Sequence, residues 1–96
     1  MSQEIPSVAI FESVPGKGKE CVITLRELFA ALSAGGYSRD LLYRDDNLQY
    51  VLVRYWKSEE ARRAAQEDPE VQRCWAKLGN EIKIVKVYET LKEVTL

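Results

Sequence analysis

The stretch YVLVRYWKSEEARRA, Tyr50 to Ala64, ends a strand and begins a helix within a few residues. Its first seven residues are apolar or aromatic except for one arginine, a composition typical of a strand. Ser58 is a favourable helix N-cap, and the two glutamates after it suit the positive end of a helix dipole. Trp56 and Arg54 at this corner either line a functional pocket or close the end of a core.

This strand is apolar on both faces, which constrains the architecture. One face carries Leu48, Tyr50, Leu52 and Trp56, and the other carries Val51, Val53 and Tyr55. A strand buried on both sides has helices on one face of its sheet and a second layer on the other. Two sheets packed face to face in a homodimer would supply that layer.

The rest of the chain predicts the order β-α-β-β-α-β. Strands are predicted over 7–14, 40–44, 48–56 and 82–88, and helices over 19–34 and 59–78, the second restarting at Asp68-Pro69-Glu70. This order is that of the ferredoxin-like α+β fold, a four-stranded antiparallel sheet with helices on one face. With 96 residues and no repeat or linker, we predict a single domain over 1–96, with a tail over 89–96 that continues extended and crosses to a partner subunit.

The hairpin between the second and third strands decides which residues share a face. A two-residue turn at Asp46-Asn47 puts one set on the face of Trp56: Leu41, Tyr43, Tyr50, Leu52 and Arg54. A slip of one residue would move the second strand's members of this set to the opposite face.

Composition excludes several classes of function. Fourteen basic and fifteen acidic residues leave a net charge of -1, which gives no electrostatic reason to expect nucleic acid or an anionic membrane as partner. No apolar run is long enough for a membrane helix, and the first residues do not resemble a signal peptide. Cys21 and Cys74 lie among apolar residues without CxxC spacing, so we interpret them as buried free thiols of a cytoplasmic protein.

The chain has no histidine, which removes much of acid–base and metal chemistry. Catalysis by Ser-His-Asp or Cys-His is excluded, as is an imidazole ligand for zinc or haem. We therefore predict no metal site and no cofactor. Any proton transfer would depend on a perturbed carboxylate, Tyr, Lys or Cys, or on the acidity of the substrate itself.

Three stretches resemble the antibiotic biosynthesis monooxygenase-like family of the dimeric α/β-barrel superfamily. Val14-Pro15-Gly16-Lys17 is similar to the start of the family's first helix, and Val51 to Ala61 is similar to its strand-to-helix signature, a tryptophan followed by xSxEA. Asp68 to Leu78 is similar to its broken second helix. The resemblance spans most of the chain and implies a homodimeric barrel with a pocket between sheet and helices in each subunit.

The resemblance carries only Trp56 over as a functional position. Polyketide oxygenases of the family use an Asn four residues before this Trp, where this chain has Leu52. Haem-degrading members use a His late in the second helix, near Trp75 here, and an Asn in the first strand, which here offers Glu12 and Ser13. The resemblance implies an oxygenase-like protein, whereas the missing Asn and His favour a non-catalytic member of the fold and disfavour haem degradation.

Each candidate residue has a functional and a structural interpretation. Trp56 stacks on an aromatic substrate or packs as a core aromatic. Arg54 binds a carboxylate or enolate oxygen, or it pairs with Glu12 or with an acidic residue of the other subunit. Tyr43 and Tyr50 either add hydroxyl groups to the pocket or are simply strand residues, and Leu52 and Glu12 complete its predicted lining.

Other features of the sequence favour structural roles. Trp75 falls in a helical stripe with Val71 and Leu78 and is predicted to pack in the core. The glycines of the 15–19 segment lack phosphate-loop spacing and fit a strand-to-helix turn. Arg62 and Arg63 are predicted on a solvated helix face, paired with Glu59 and Glu67.

Two functions follow from these observations. The first is a cofactor-independent monooxygenase-like homodimer with a pocket for a small aromatic or enolic molecule, in which Arg54 stabilises the substrate anion and Trp56 forms the stacking wall. The second is a non-catalytic dimeric module of the same fold that binds a small ligand or has a structural role.

Overall fold

The computed structural model describes residues 4–96, so Met1 to Gln3 of the predicted domain lie outside the described residues. The elements are β1 (Ile5–Ser13), α1 (Gly18–Ala34), β2 (Ser38–Arg44), β3 (Tyr50–Trp56), α2 (Glu59–Glu67), α3 (Pro69–Leu78) and β4 (Ile82–Tyr88). The order confirms the ferredoxin-like βαββαβ arrangement. β1 and β2 begin two residues earlier than predicted, and β3 begins two residues later.

The four strands form one antiparallel sheet in the order β2-β3-β1-β4. Residues of β1 and β3 that share the face of Trp56 are buried against the helices, with Phe11 and Leu52 at the centre. α1 contributes a stripe of buried residues at helical spacing: Cys21, Leu25, Leu28 and Leu32. We call this the helix side of the sheet. The interpretation of Cys21 and Cys74 as buried free thiols is confirmed.

The β2–β3 hairpin differs from the predicted two-residue turn. Asp45 accepts a hydrogen bond from the N–H of Leu48, and Leu48 has φ 64°, so three residues, 46–48, form the loop. The Oδ1 atom of Asp45 also accepts the N–H groups of Asn47 and Gln49, both at 2.9 Å. These bonds stabilise the longer loop, which the propensity of Asp-Asn for tight turns does not reveal.

The longer loop shifts the pairing of β2 with β3 by one residue. Leu42 pairs with Leu52 and Tyr43 with Val51, so Leu41 and Tyr43 lie on the face opposite Trp56. Their predicted place on the Trp56 face is therefore wrong. The residues of β2 that share the helix side with Arg54 are Ser38, Asp40, Leu42 and Arg44.

Side chains of the loops cap the helices that follow β3. Ser58 Oγ accepts the N–H of Ala61 at 3.0 Å, as its N-cap position predicts. Asp68 ends α2 and caps α3, since its Oδ1 accepts the N–H of Glu70 at 2.9 Å. The hydroxyl of Tyr37 donates to Asp68 Oδ2 at 2.7 Å and thereby ties the start of β2 to the junction of the two helices.

The tail after β4 has no regular secondary structure. The N–H of Leu91 donates to the carbonyl of Pro6 at 3.0 Å, and Arg62 Nη1 donates to Thr90 Oγ1 at 3.3 Å. The first part of the tail thus lies against the start of β1 and against α2. Among the helices described, none combines the length and the apolar character needed to cross a membrane.

Candidate functional site

A cleft of about 220 Å³ lies between the helix side of the sheet and helices α2 and α3. The sheet contributes Ser7, Leu52, Arg54 and Trp56, the helices contribute Arg62, Gln66 and Trp75, and the tail contributes Glu89 at the rim. We call this the Trp56 cleft. It has aromatic walls at one end and two guanidinium groups, which suits a small aromatic molecule that carries an acidic oxygen.

Trp56 lies at the end of β3, where the chain turns into α2. Its side chain is buried against the core and also lines the cleft, so the two interpretations of this residue are compatible. The guanidinium carbon of Arg54 lies 5.2 Å from the centre of the Trp56 ring, within the range of a cation–π interaction. This contact fixes the relative orientation of the two residues.

Arg54 is buried because β2 supplies its counter-charge. Asp40 lies directly opposite Arg54 in the strand pairing. Its carboxylate accepts charge-assisted bonds from Nε, at 3.0 Å to Oδ1 and 3.1 Å to Oδ2, and from Nη2, at 2.9 Å to Oδ2. Ser38 Oγ donates a further bond to Asp40 at 3.0 Å. The bidentate pair leaves Nη1 as the part of the guanidinium not engaged by Asp40, so Asp40 is a positioning residue for Arg54.

The predicted pairing of Arg54 with Glu12 is wrong. Glu12 lies on the opposite face of the sheet, where its Oε2 accepts a bond from Gln49 Nε2 at 3.1 Å. Because side chains alternate along a strand, Glu12 cannot reach the Trp56 cleft from this position. The β1 residue that lies opposite Arg54 is Ser7.

The other predicted pocket residues divide between two places. Leu52 lines the Trp56 cleft and is buried. Tyr50 shares the helix side but stacks on Phe11, with ring centres 5.4 Å apart, and lines a different cleft beside α1. Tyr43 lies on the opposite face and is exposed. Of the six predicted residues, only Leu52, Arg54 and Trp56 therefore meet in one cleft.

Sequence reasoning missed Arg62, which it assigned to a solvated helix face. The predicted pairing with Glu59 is present at 3.9 Å, but Arg62 also approaches Glu89 of the tail at 3.8 Å and lines the cleft. Arg62 precedes Gln66 by four residues, so these two side chains lie on one face of α2. That spacing was the available signal.

The predicted core role of Trp75 is partly confirmed. It packs against the core but is only partly buried, and one of its surfaces lines the Trp56 cleft. It therefore faces the cleft from the helix layer, while Trp56 does so from the sheet. Between them an aromatic ligand would contact two indole rings.

These features define a ferredoxin-like α+β protein with an aromatic and basic cleft under its helices. No protein-family model and no curated protein matches the sequence. Solved structures match almost the whole chain. A Pseudomonas aeruginosa protein has a TM-score of 0.78 and 20% identity, with 98% of each chain covered.

Two further solved structures carry names that describe an activity. SnoaB, a cofactor-independent oxygenase from Streptomyces nogalater, has a TM-score of 0.77 and 19% identity over 95% of each chain. A candidate antibiotic biosynthesis monooxygenase from Chloroflexus aurantiacus J-10-fl has a TM-score of 0.77 and 16% identity, covering 98% of this chain and 97% of that one. The chain therefore has the antibiotic biosynthesis monooxygenase-like fold, which the sequence motifs predicted.

Proposed function

We propose that this protein is a small oxygenase-type enzyme that acts, without metal or flavin, on an aromatic or enolic molecule bound in the Trp56 cleft. The observation that carries the proposal is the meeting of Trp56, Arg54 and Arg62 in one cleft under the helices. Support also comes from the fold, which is shared with SnoaB, a cofactor-independent oxygenase.

The proposed reaction uses the electrons of the substrate itself. A phenol or enol gives up its proton to solvent in the cleft, and the resulting anion transfers one electron to O2. The substrate radical and superoxide then combine to a peroxide anion, which takes up a proton from solvent. Loss of water leaves a new carbonyl, so that a CH2 group and O2 give C=O and H2O. The protein contributes orientation and a desolvated surrounding.

The two arginines have different roles in this proposal. Arg54 is rigid, because Asp40 holds it and Trp56 stacks on it, and its free Nη1 would donate to the substrate oxygen. Arg62 is held more loosely, by carboxylates at 3.8 and 3.9 Å. It would add positive charge beside the anion and lower the pKa of the bound substrate.

We also propose that the protein is a homodimer that pairs through the sheet face opposite the helices. That face carries two rows of mostly apolar residues across neighbouring strands, Tyr88-Val8-Val53-Leu41 and Ile10-Val51-Tyr43. Exposed apolar patches of this kind are typical of interfaces. Tyr43 and Glu12 would lie in this interface, and the tail residues after Leu91 would be able to reach the partner.

The alternative is a non-catalytic dimeric module that binds a small ligand in the same cleft. The observation that favours it is Leu52, an apolar residue that lines the cleft where the resemblance implies an Asn. Haem degradation is disfavoured because the chain has no histidine. For either function we propose a cytoplasmic location, supported by the two buried thiols.

The decisive experiment measures oxygen uptake and absorbance changes with a panel of anthrones and quinols. We expect uptake by the wild-type protein and a sharp loss in Trp56→Phe, with Arg63→Gln as the matched surface control. Quenching of tryptophan fluorescence without oxygen uptake would favour the binding module. Neither uptake nor quenching with any compound would contradict both functions for this class of ligand.

A further inference from the structure

A second cleft, larger than the first, lies on the helix side of the sheet. It has a volume of about 630 Å³ and is bounded by the first half of α1, the end of β2 and the β2–β3 loop. Its lining includes three cationic side chains, Lys19, Arg26 and Arg44, and no acidic residue among those the structure describes. We call it the basic cleft. Its volume lies in the range of sites for small organic ligands.

Arg26 and Arg44 of the basic cleft differ from the other arginines in their electrostatic surroundings. Elsewhere each arginine has a carboxylate within 4.0 Å, as in the pairs Arg39–Glu4, Arg54–Asp40, Arg62–Glu59, Arg63–Glu59 and Arg73–Glu70. Within residues 4–96, Lys19, Arg26 and Arg44 have no such partner. Two arginines and a lysine that line one cleft without a carboxylate within 4.0 Å favour an anionic ligand.

The start of α1 adds to this positive potential. Lys17 occupies the N-cap position, and no side chain accepts the first N–H groups of the helix. Those groups carry the positive end of the helix dipole. Gly18 and the hydroxyl-bearing Ser13 both line the cleft at this point, so a small polar group of a ligand would find hydrogen-bond donors there.

Apolar residues line the same cleft as these cations. Ile23 of α1 and Leu48 of the hairpin loop are 55% and 67% exposed, and with Val22 and the ring of Tyr50 they form an apolar surface beside the cations. Leu48 adopts φ 64°, a conformation that leucine rarely takes and that glycine or asparagine adopts more easily. A strained leucine at the mouth of a cleft is consistent with a functional demand for its side chain.

We propose that the basic cleft is a second binding site, which takes an anionic amphiphile, namely a carboxylate joined to an apolar chain or ring. The carboxylate would pair with Arg26 and Arg44, and the apolar part would contact Ile23 and Leu48. The site is separate from the Trp56 cleft, because the two clefts share no lining residue. It lies on the helix side of the sheet, so the proposed dimer leaves it open.

The test is a titration of the full chain with octanoate, followed by two-dimensional amide NMR and by calorimetry. We expect saturable shifts of the amides of Gly18, Ile23 and Leu48. Binding should weaken at least about tenfold in the double variant Arg26→Gln/Arg44→Gln, because charge-assisted hydrogen bonds are lost. Octanol has the apolar chain without the charge, and inorganic phosphate has negative charge without the chain. Each should bind much more weakly than octanoate.

Two controls keep this test specific. Arg63→Gln removes one arginine from a distant exposed site and should leave octanoate affinity unchanged. Ile23→Asn tests the apolar wall by itself and should weaken octanoate more than phosphate. Shifts that map to the Trp56 cleft, an affinity that the double variant does not change, or the absence of saturable shifts would each overturn the proposal.

Discussion

Arg54 and Asp40 form a buried bidentate ion pair across the pairing of β3 with β2, with Nε–Oδ1 at 3.0 Å and Nη2–Oδ2 at 2.9 Å. Only 10% of the arginine side chain and 2% of the aspartate side chain are exposed. The pair explains why a strand that is otherwise apolar tolerates an arginine. It also gives the Trp56 cleft a cation whose position is fixed by the sheet.

Removing one member of this pair should destabilise the fold strongly. We expect Asp40→Asn to lower the free energy of unfolding by about 3–5 kcal/mol, because it leaves the Arg54 charge buried without its partner. Urea unfolding at neutral pH measures the change. Asp46→Asn, a substitution in the exposed hairpin loop, is the matched control and should change stability little.

Replacing both members of the pair at once separates the value of the pair from the cost of an unpaired charge. Asp40→Leu/Arg54→Met replaces both charges by apolar side chains and should lose less stability than Asp40→Asn alone. If the double variant is less stable than Asp40→Asn, the ion pair contributes more stability than avoiding an unpaired charge alone would give. In either case the double variant should lose binding in the Trp56 cleft.

Arg62 and Arg63 offer a matched test of the substrate charge. Both approach Glu59, but Arg62 is 20% exposed and lines the cleft, whereas Arg63 is 76% exposed. We expect Arg62→Gln to lower kcat/KM about tenfold for a substrate that must ionise, because it removes the positive charge that lowers the pKa of the bound substrate. Equal effects of Arg62→Gln and Arg63→Gln on kcat/KM would contradict a role of Arg62 at the substrate.

Sequence patterns were sufficient for the fold because its signals are local. The caps at Ser58 and Asp68 and the helical stripe of α1 identify the elements, and their order identifies the topology. The site depends instead on register and distance. One extra loop residue at Leu48 reversed the face of Tyr43, and the partner of Arg54 became evident only from the pairing of β2 with β3.

Leu48 should be a site where substitution increases stability. An L-amino acid in the left-handed conformation costs about 1–2 kcal/mol, and asparagine tolerates it better than other residues. We expect Leu48→Asn to raise the free energy of unfolding by about 0.5–1 kcal/mol and the β-branched Leu48→Val to lower it. Urea unfolding of the three proteins gives the order, and a valine variant as stable as the asparagine variant would contradict the observed loop.

The bond from Tyr37 to Asp68 should make stability depend on pH at both extremes. The bond to Tyr37, together with the N–H groups of Glu70 and Val71, lowers the pKa of Asp68, and the same bond to Asp68 raises the pKa of Tyr37. For Asp68 the stabilisation is complete above its ordinary pKa of about 4 and is lost as pH falls through the lowered value. For Tyr37 it is complete below about pH 10 and is lost as pH rises through the raised value.

Tyr37→Phe removes this bond and tests the pH dependence. We expect the variant to melt below the wild type between pH 5 and 9 (roughly the interval between the two ordinary pKa values) and the difference to shrink outside it. Thermal unfolding across a pH series measures it. A difference that stays constant down to the most acidic conditions would mean that the hydroxyl acts independently of the Asp68 charge.

Val53 tests the proposed dimer, because it lies in the centre of the sheet face opposite the helices, between Val8 of β1 and Leu41 of β2. A lysine there would place a charge in the middle of an apolar interface, where burial without a partner is costly. We expect the wild-type protein to sediment as a dimer at micromolar concentration and Val53→Lys as a monomer. Ile23→Lys, which changes an equally apolar but exposed residue on the helix side, should remain dimeric. A wild-type monomer at this concentration would exclude the dimeric barrel, and the apolar rows on this face would then need another partner.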